Sequence, residues 1–358
     1  MALRVLHVDT GREWRGGQRQ VYLLARAQRE RGDEPLVVAH PEAPLIRRLR
    51  AHGLAAASVR VRGDWDLAAA RRVRQLVRRW RADLVHAHDA RAHAISLAAL
   101  VGRRDVPLVV TRRVPFVPRG RLKYGTRVSR FIAISVAVRE ALVQGGVTAS
   151  RIDVVYSGVP APRVEHVRDW RTECAWPAAS VLCGVVGAMT AEKGIELLGA
   201  IAERLPPDEA RRARLVLLGG ASSGATSIGG LDTYRAGFVD EVHAAMAGLD
   251  VLWHPATAEG LGTAVIDAMA LGVPPIAFRV GGLPELIVHR STGLLVTPGD
   301  VADFARAAST LIRDRAMRRR LSHAGPARAA LFSVERMVAG TADVYDAVLA
   351  SSREADPI

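Results

Sequence analysis

Two carboxylates, Glu259 and Asp267, stand eight positions apart in the run Glu259-Gly260-Leu261-Gly262-Thr263-Ala264-Val265-Ile266-Asp267. Between them a glycine-rich turn opens an apolar helix, read here as Ala264 to Leu271. At ~1.5 Å of rise per residue, eight positions span roughly 12 Å. That spacing puts one acid at the helix mouth and the other two turns down its flank. The N–H groups of a helix mouth are free and its dipole is positive there, which suits a phosphate. Carboxylates accept hydrogen bonds from hydroxyls. An acid, an anion site and a second acid fit a sugar, a diphosphate and a ribose in that order. A solvent-facing Glu before an ordinary helix is the plainer reading of the same residues.

Other segments carry chemistry of their own. Val186-Gly187-Ala188-Met189-Thr190-Ala191-Glu192-Lys193-Gly194 follows an apolar run and ends on one of only two lysines, Lys123 and Lys193, in a chain with 48 arginines. Gly281-Gly282-Leu283-Pro284-Glu285 pairs two glycines, which permit close backbone approach, with a Pro-Glu helix start. Gly16-Gly17 follows the first apolar run. His86-Ala87-His88-Asp89 ends another; two histidines and an Asp suggest a metal, but no third cluster with ligand spacing accompanies them. Thr111-Arg112-Arg113-Val114-Pro115-Phe116 begins a basic stretch that runs through Arg119, Arg121, Lys123 and Tyr124, with Val117 and Leu122 interleaved.

The elements that must position these residues alternate strand and helix. Strands are expected at Leu3–Val8, Leu36–Ala39, Ala55–Val61, Leu84–His86, Leu108–Thr111, Phe131–Ile134 and Ile152–Val155, with helices from Gln18 to Arg31, Pro41 to His52 and Leu67 to Trp80 between the early ones. Val-, Ile- and Leu-rich strands separated by helices imply a parallel sheet covered on both faces. Proline and glycine cluster at Ser157-Gly158-Val159-Pro160-Ala161-Pro162, so a linker is placed at about 157–177. A second series follows at Val181–Val186, Leu215–Leu218, Val251–His254, Pro275–Phe278 and Leu294–Val296. Between Gly219 and Phe238 the chain is rich in Gly, Ala and Ser and reads as too short and flexible for a helix. An amphipathic helix closes the chain from about Val334. Ligands of doubly wound sheets bind at the carboxyl ends of the strands.

Composition bounds the rest. At 358 residues and 49% hydrophobic, two domains of ordinary size are expected, each with a full core. No apolar run approaches the ~18 residues that span a bilayer, and Asp9 and Arg12 interrupt the apolar start, so no signal peptide is expected. Cys174 and Cys183 make no metal site alone; Cys183 reads as a buried thiol, and a reducing cytoplasm is the default. Residues 1–163 carry 31 Lys+Arg against 13 Asp+Glu, whereas 164–358 carry 19 against 23. The first half therefore meets something anionic, either nucleic acid or an anionic membrane leaflet holding a lipid-linked acceptor.

Taken in order, these segments resemble glycosyltransferase family 4, the retaining GT-B enzymes, and in particular members that build lipopolysaccharide and cell-surface polysaccharide. Glu259 to Asp267 resembles that family's EX7E motif, with Asp in place of the second Glu. Val186 to Gly194 resembles the segment ending in Lys-Gly, although Ala188 stands where members often carry an Arg. Gly281 to Glu285 resembles the GGxPE element, and Ser291 to Asp300 is similar as well. Gly16-Gly17 resembles the loop over the donor phosphate. Arg112-Arg113 replace the His that many members place after this strand. The resemblance implies two Rossmann-like domains facing a central cleft: an acceptor-binding domain at 1–163, a nucleotide-sugar domain at 178–333, and a segment 334–358 whose helix crosses back to the first domain.

It also implies roles. Glu259 accepts hydrogen bonds from donor sugar hydroxyls. Lys193 and the mouth at Leu261 and Gly262 hold the diphosphate, where a cation stabilises charge as the sugar–phosphate bond breaks, and Gly187 and Gly260 belong to the same donor site. Asp267 holds the ribose, and Phe238-Val239 offers backbone to the base. His88, Arg112 and Arg113 line the acceptor side or serve structure only. The partners are a nucleotide-sugar and a glycan or lipid-linked acceptor, with no nucleic acid, no cofactor and no metal. Asp64-Trp65-Asp66 has the spelling of a metal-binding DxD but precedes a helix that its aspartates cap. No side chain stands out as a nucleophile. Two other classes are weighed: a basic nucleic-acid-binding module, which lacks a binding motif and has only 5% aromatic residues for stacking, and a GT-B relative such as a sugar-nucleotide epimerase.

Overall fold

Strands of three to seven residues, most of them apolar runs, number fourteen in a computed structural model that describes residues 2–120 and 123–354. Arg121 and Leu122 of the basic stretch, and the last four residues, lie outside the described residues. The chain divides into two units, Met1–Gly158 with Val334–Ile358, and Val159–Ser333.

In the first unit the strands are β1 (Arg4–Val8), β2 (Glu34–Ala39), β3 (Ala55–Ser58), β4 (Leu84–Ala87), β5 (Leu108–Arg112), β6 (Arg130–Ala133) and β7 (Ile152–Val154). They form one parallel sheet in the order β3-β2-β1-β4-β5-β6-β7. Winding reverses between β1 and β4, the kind of place where open α/β sheets form a crevice. The helix Gly16–Glu30 follows β1 directly, so Gly16 and Gly17 are its first two residues and not a free loop: Arg15 is extended, and helical bonds begin at once behind it. The last helix, Val334–Glu354, packs on this unit, with Met337, Val338, Val344, Tyr345 and Val348 in one cluster with Val5, Leu84, Val109 and Ile132.

The second unit holds β8 (Val181–Val186), β9 (Ala213–Leu218), β10 (Ser223–Ile228), β11 (Leu231–Gly237), β12 (Val251–His254), β13 (Pro275–Phe278) and β14 (Leu294–Val296), in the order β10-β11-β9-β8-β12-β13-β14. All pairs are parallel except β10 with β11. That hairpin corrects the reading of 219–238 as flexible. Gly229 and Gly230, both at positive φ, turn the chain tightly between Ile228 and Leu231. Ser, Ala and Gly give no β signal of their own, so the strand was hidden. The presumed linker is also partly structure: Trp170 is fully buried, and its indole donates to the carbonyl of Ala245 at 2.8 Å.

One polar network lies inside the first sheet. Arg113 is a donor only, so His88 Nδ1 accepts from it. His88 then donates through Nε2 to His7 Nδ1 at 2.9 Å, and His7 donates through Nε2 to Gln28 at 2.7 Å. His86 sits between Tyr345 of the final helix at 2.5 Å and Thr111 at 2.7 Å. Burial keeps all three rings neutral, lowering His7 to about 4 and His86 and His88 well below their ordinary value.

This burial predicts a pH dependence. Above the unfolded value of about 6.5 the rings are neutral in both states and the stabilisation is complete. As pH falls from there toward 4, the unfolded chain takes up protons that the native rings refuse, and stability is lost. His7 alone accounts for a loss of roughly 3 kcal/mol. Asp9, raised to about 6 by burial and the charge of Asp89, acts with the opposite sign but only below 6. The calorimetric melting temperature of the full chain should therefore drop between pH 7 and 4; a flat or rising profile would show that these rings are not held neutral.

Candidate functional site

In the second unit winding reverses between β8 and β12, and the loops after these two strands carry Lys193 and Glu259. The loop after β8 leaves through Gly187 at φ 138°, makes one 3-10 turn at Ala191–Lys193, and ends at Gly194 with φ 68°. A Cβ on Gly194 would lie 1.9 Å from the carbonyl oxygen of Pro255, so only glycine lets the two loops meet. The amide of Thr257 donates to the carbonyl of Glu192 at 3.0 Å and ties them. On the other side, a Cβ on Gly281 would fall 1.7 Å from the carbonyl oxygen of Glu259, which accepts from the amide of Gly282 at 3.3 Å. The Gly281-Gly282 pair thus clamps the backbone of the acid.

The side chains meet accordingly. Lys193 Nζ lies 2.5 Å and His254 Nε2 3.0 Å from the same oxygen, Oε2 of Glu259. The carboxylate is mostly buried, and burial alone would raise its pKa. The hydrogen bond from His254 and the charge of Lys193 overcome that and bring it down to about 2. Glu259 is therefore an anion, oriented by two donors on one oxygen. His254, the last residue of β12, drew no attention in the sequence; its position at a strand end five residues before Glu259 was the available signal.

The helix after Glu259 is Thr263–Ala270, one residue earlier than expected, and it opens at Gly262 with φ 101° and no side-chain cap. Asp267 does not stand on an open flank. It is buried and bonded to His243 at 2.8 Å. His243 comes from the short helix Val242–Ala247, and no spacing linked it to Asp267 in the sequence. Gly260, Leu261 and Gly262 are buried beside the acid, and a Cβ on Gly262 would lie 3.5 Å from Glu259 Cγ. Phe238, exposed, and Val239, half-buried, follow β11, which lies beyond β9 from β8. The structure therefore joins Lys193 to Glu259 closely, with Gly262 beside them, and leaves the Phe238 segment farther along the sheet.

The first unit gathers different groups at the ends of β1, β4 and β5. Asp9 accepts from the amide of Gly11 at 3.0 Å and from Gln18 at 3.0 and 3.1 Å. Asp89 caps the helix Ala90–Ala99 through the amides of Arg91 and Ala92, and takes the amide and hydroxyl of Thr10 as well. Both acids are thus engaged elsewhere. Among the described residues, Arg113 makes 3.5 Å contacts with Ser157 and His88, and its Nε is buried with no hydrogen-bond partner. Burial lowers its pKa to about 10, against the opposing charges of Asp9 and Asp89. A Cβ on Gly17 would come 3.4 Å from Arg113 Cδ, and the adjoining helix start has neither a side-chain cap nor an acid in its first turn. This is an arrangement for an anion.

The other first-unit candidates differ. Arg112 is committed to Tyr124 at 3.1 Å and to the carbonyl of Phe116 at 3.0 Å. His88, expected to line the acceptor side, is buried in the network described above. His7, absent from the sequence reading, joins His86 and His88 so that ligand-type nitrogens of all three lie within 4.8 Å. Both ring nitrogens of His7 and of His86 already have hydrogen-bond partners, so a metal there would have to displace them. Of the Asp64-Trp65-Asp66 triplet, only Asp66 caps the helix Leu67–Trp80; Asp64 pairs with Lys123 at 3.3 Å.

Known proteins resemble this chain in sequence and in fold. Residues 14–163 match the family model described as Glycosyltransferase Family 4, and residues 180–314 the one described as Glycosyl transferases group 1. A D-inositol 3-phosphate glycosyltransferase of Nocardia farcinica is 29% identical over 282 residues, which cover 73% of this chain and 61% of that protein. The chain spans about half to three-fifths of the length of the first curated relatives it matches. Among solved structures, Anabaena HepE in complex with UDP and glucose superposes with a TM-score of 0.82 at 21% identity, covering 96% of this chain and all of that one. WaaG, a glycosyltransferase involved in lipopolysaccharide biosynthesis, superposes with a TM-score of 0.72 at 15% identity, covering 96% and 99%. With one family model on each unit and these folds on both, the chain belongs to glycosyltransferase family 4 and has the GT-B fold.

Proposed function

We propose that this glycosyltransferase moves a sugar, with retention, from a nucleoside-diphosphate donor to a glycan or lipid-linked acceptor in the synthesis of lipopolysaccharide or another envelope polysaccharide. The observation that carries the reading is the Glu259 carboxylate, kept ionised by Lys193 and His254 at the switch point of the second sheet. The second unit takes the donor. Glu259 accepts hydrogen bonds from sugar hydroxyls through the oxygen its two donors leave open. Lys193 neutralises the diphosphate as the bond from sugar C1 to phosphate oxygen breaks. Asp267, together with His243, takes the ribose. The acceptor oxygen bonds to C1 on the same face, and its proton passes to the leaving phosphate. No metal or cofactor enters this scheme.

The first unit takes the acceptor. Arg113, with its buried unpartnered Nε, is the group suited to an anionic acceptor substituent. The D-inositol 3-phosphate relative carries an anion in the name of its own substrate. A cytoplasmic, membrane-peripheral setting is part of the same reading. The basic half of the chain suits an anionic leaflet, and Trp65, Leu67, Phe116 and Val117 are exposed apolar side chains in that half. Among the described residues no helix is long and apolar enough to cross a membrane.

Three outcomes test this. In a thermal-shift panel of nucleoside diphosphates and their sugars, the cognate ligand at a hundred times its dissociation constant should add about 2.7 kcal/mol of stability; a panel in which nothing shifts would sink the donor assignment. Lys193→Ala and Glu259→Ala should each lower kcat by roughly a hundredfold or more while circular dichroism stays native; near-normal rates in both would refute their roles. Arg113→Met should raise KM for the acceptor about tenfold or more with donor KM little changed, since a charge-assisted contact is lost; unchanged acceptor KM would remove Arg113 from that role.

A further inference from the structure

Lys193 has two claimants under the function proposed above. It is paired with Glu259 in the structure, yet its chemistry is to meet the donor's diphosphate. An ammonium that turns to a phosphate leaves behind a carboxylate largely removed from water, and an orphaned buried charge is costly. Something else must hold the acid in place.

The three groups differ in their freedom to move. Lys193 has a four-carbon stem, is 29% exposed, and sits on a single 3-10 turn that ends at Gly194. Glu259 is clamped through its main chain by Gly281 and Gly282. His254 is 4% exposed and is the last residue of a strand paired on both edges, with its own register partner Ala277 on β13. Of the two donors on Oε2, only the lysine is built to leave.

We propose that His254 is the positioning residue that keeps Glu259 seated while Lys193 moves from that carboxylate to the phosphate of an incoming nucleotide-sugar. Sharing one oxygen is what makes the exchange workable. The imidazole N–H already points at Oε2, so the carboxylate need not turn when the ammonium goes. The other oxygen keeps its direction toward the sugar hydroxyls throughout. This inference rests on the donor reading for its purpose, but the anchoring itself is a property of the protein with a phosphate alone.

Two substitutions separate anchoring from mere packing. His254→Gln keeps a donor near the position of Nε2, and His254→Phe keeps a ring without the donor. In the full chain, His254→Phe should lower kcat by about tenfold or more, as expected for loss of a preorganised contact, with inorganic pyrophosphate affinity unchanged within about twofold. His254→Gln should recover most of the rate. A readout independent of activity is the side-chain 13C resonance of Glu259 in glutamate-labelled protein, assigned with Glu259→Gln. Between about pH 6 and 4.5 the wild-type resonance should stay that of an ionised carboxylate, with or without inorganic pyrophosphate. In His254→Phe, pyrophosphate should bring Glu259 into titration with its midpoint higher by about one pH unit or more. A carboxylate in His254→Phe that stays ionised with pyrophosphate present would overturn the proposal. If that variant melts early, Lys193→Ala decides: Glu259 should remain ionised there, and titration within that range would overturn the proposal equally. Failure of the transferase reading looks different, namely wild-type protein that transfers from no donor while these resonances behave as stated.

Discussion

A carboxylate taken out of water stays charged only if donors replace the water it lost, and the second unit is organised around that constraint at Glu259. Burial pushes the acid toward neutrality; an imidazole N–H and an ammonium on one oxygen reverse the balance. The pair survives because both donors arrive from separate elements, His254 from the end of β12 and Lys193 from the loop after β8. Any backbone shift that moved one loop relative to the other would cost the charge its partners. This is why the glycines around it are so constrained. Gly194 lets the lysine loop touch the Pro255 carbonyl, and Gly281 lets the following loop touch that of Glu259. At both places a methyl group would occupy the position of a backbone oxygen.

The first unit answers a related problem with different materials. Its interior histidines are neutral and hydrogen-bonded in line, from Gln28 through His7 and His88 to the guanidinium of Arg113. The chain of bonds has one direction because an arginine only donates. A parallel link runs from Tyr345 on the last helix through His86 to Thr111, so the end of the polypeptide helps fix the strand that precedes Arg113. Asp9 and Asp89 lie near the guanidinium but spend their oxygens on Gln18, Thr10 and helix amides. The cation is oriented and left under-satisfied, the state in which a site for an external anion is useful. In both units a charged side chain is held in part by an imidazole at the end of a sheet strand, His254 for Glu259 and His88 for Arg113, and in both the group that meets ligand has bonding capacity left open.

Much of this architecture was legible in advance. Strand positions such as Val251–His254, Pro275–Phe278 and Leu294–Val296 agree to the residue, because buried parallel strands are short uninterrupted apolar runs bounded by glycine, proline and polar residues. The hairpin of β10 and β11 was not legible. The residues of β10 are mostly small and polar, and the hairpin depends on Gly229-Gly230 and on an edge of β9 that only the folded sheet supplies. The helical start at Gly16 was misplaced for a similar reason: glycine argues for a loop locally, whereas the packing of Val21, Leu23 and Leu24 draws the helix back to meet it.

The sequence by itself determined the family and the alternation of strand and helix, and it singled out Lys193 and Glu259, because these are matters of residue type, order and spacing along one segment. Only the tertiary structure decided which side chains stand beside them. His254 reaches Glu259 over five residues, His243 reaches Asp267 over 24, and His7 reaches His88 over 81. The two longer pairs leave no trace in local spacing, since a polar side chain in a buried setting takes whichever partner the sheet and its loops bring within hydrogen-bond reach.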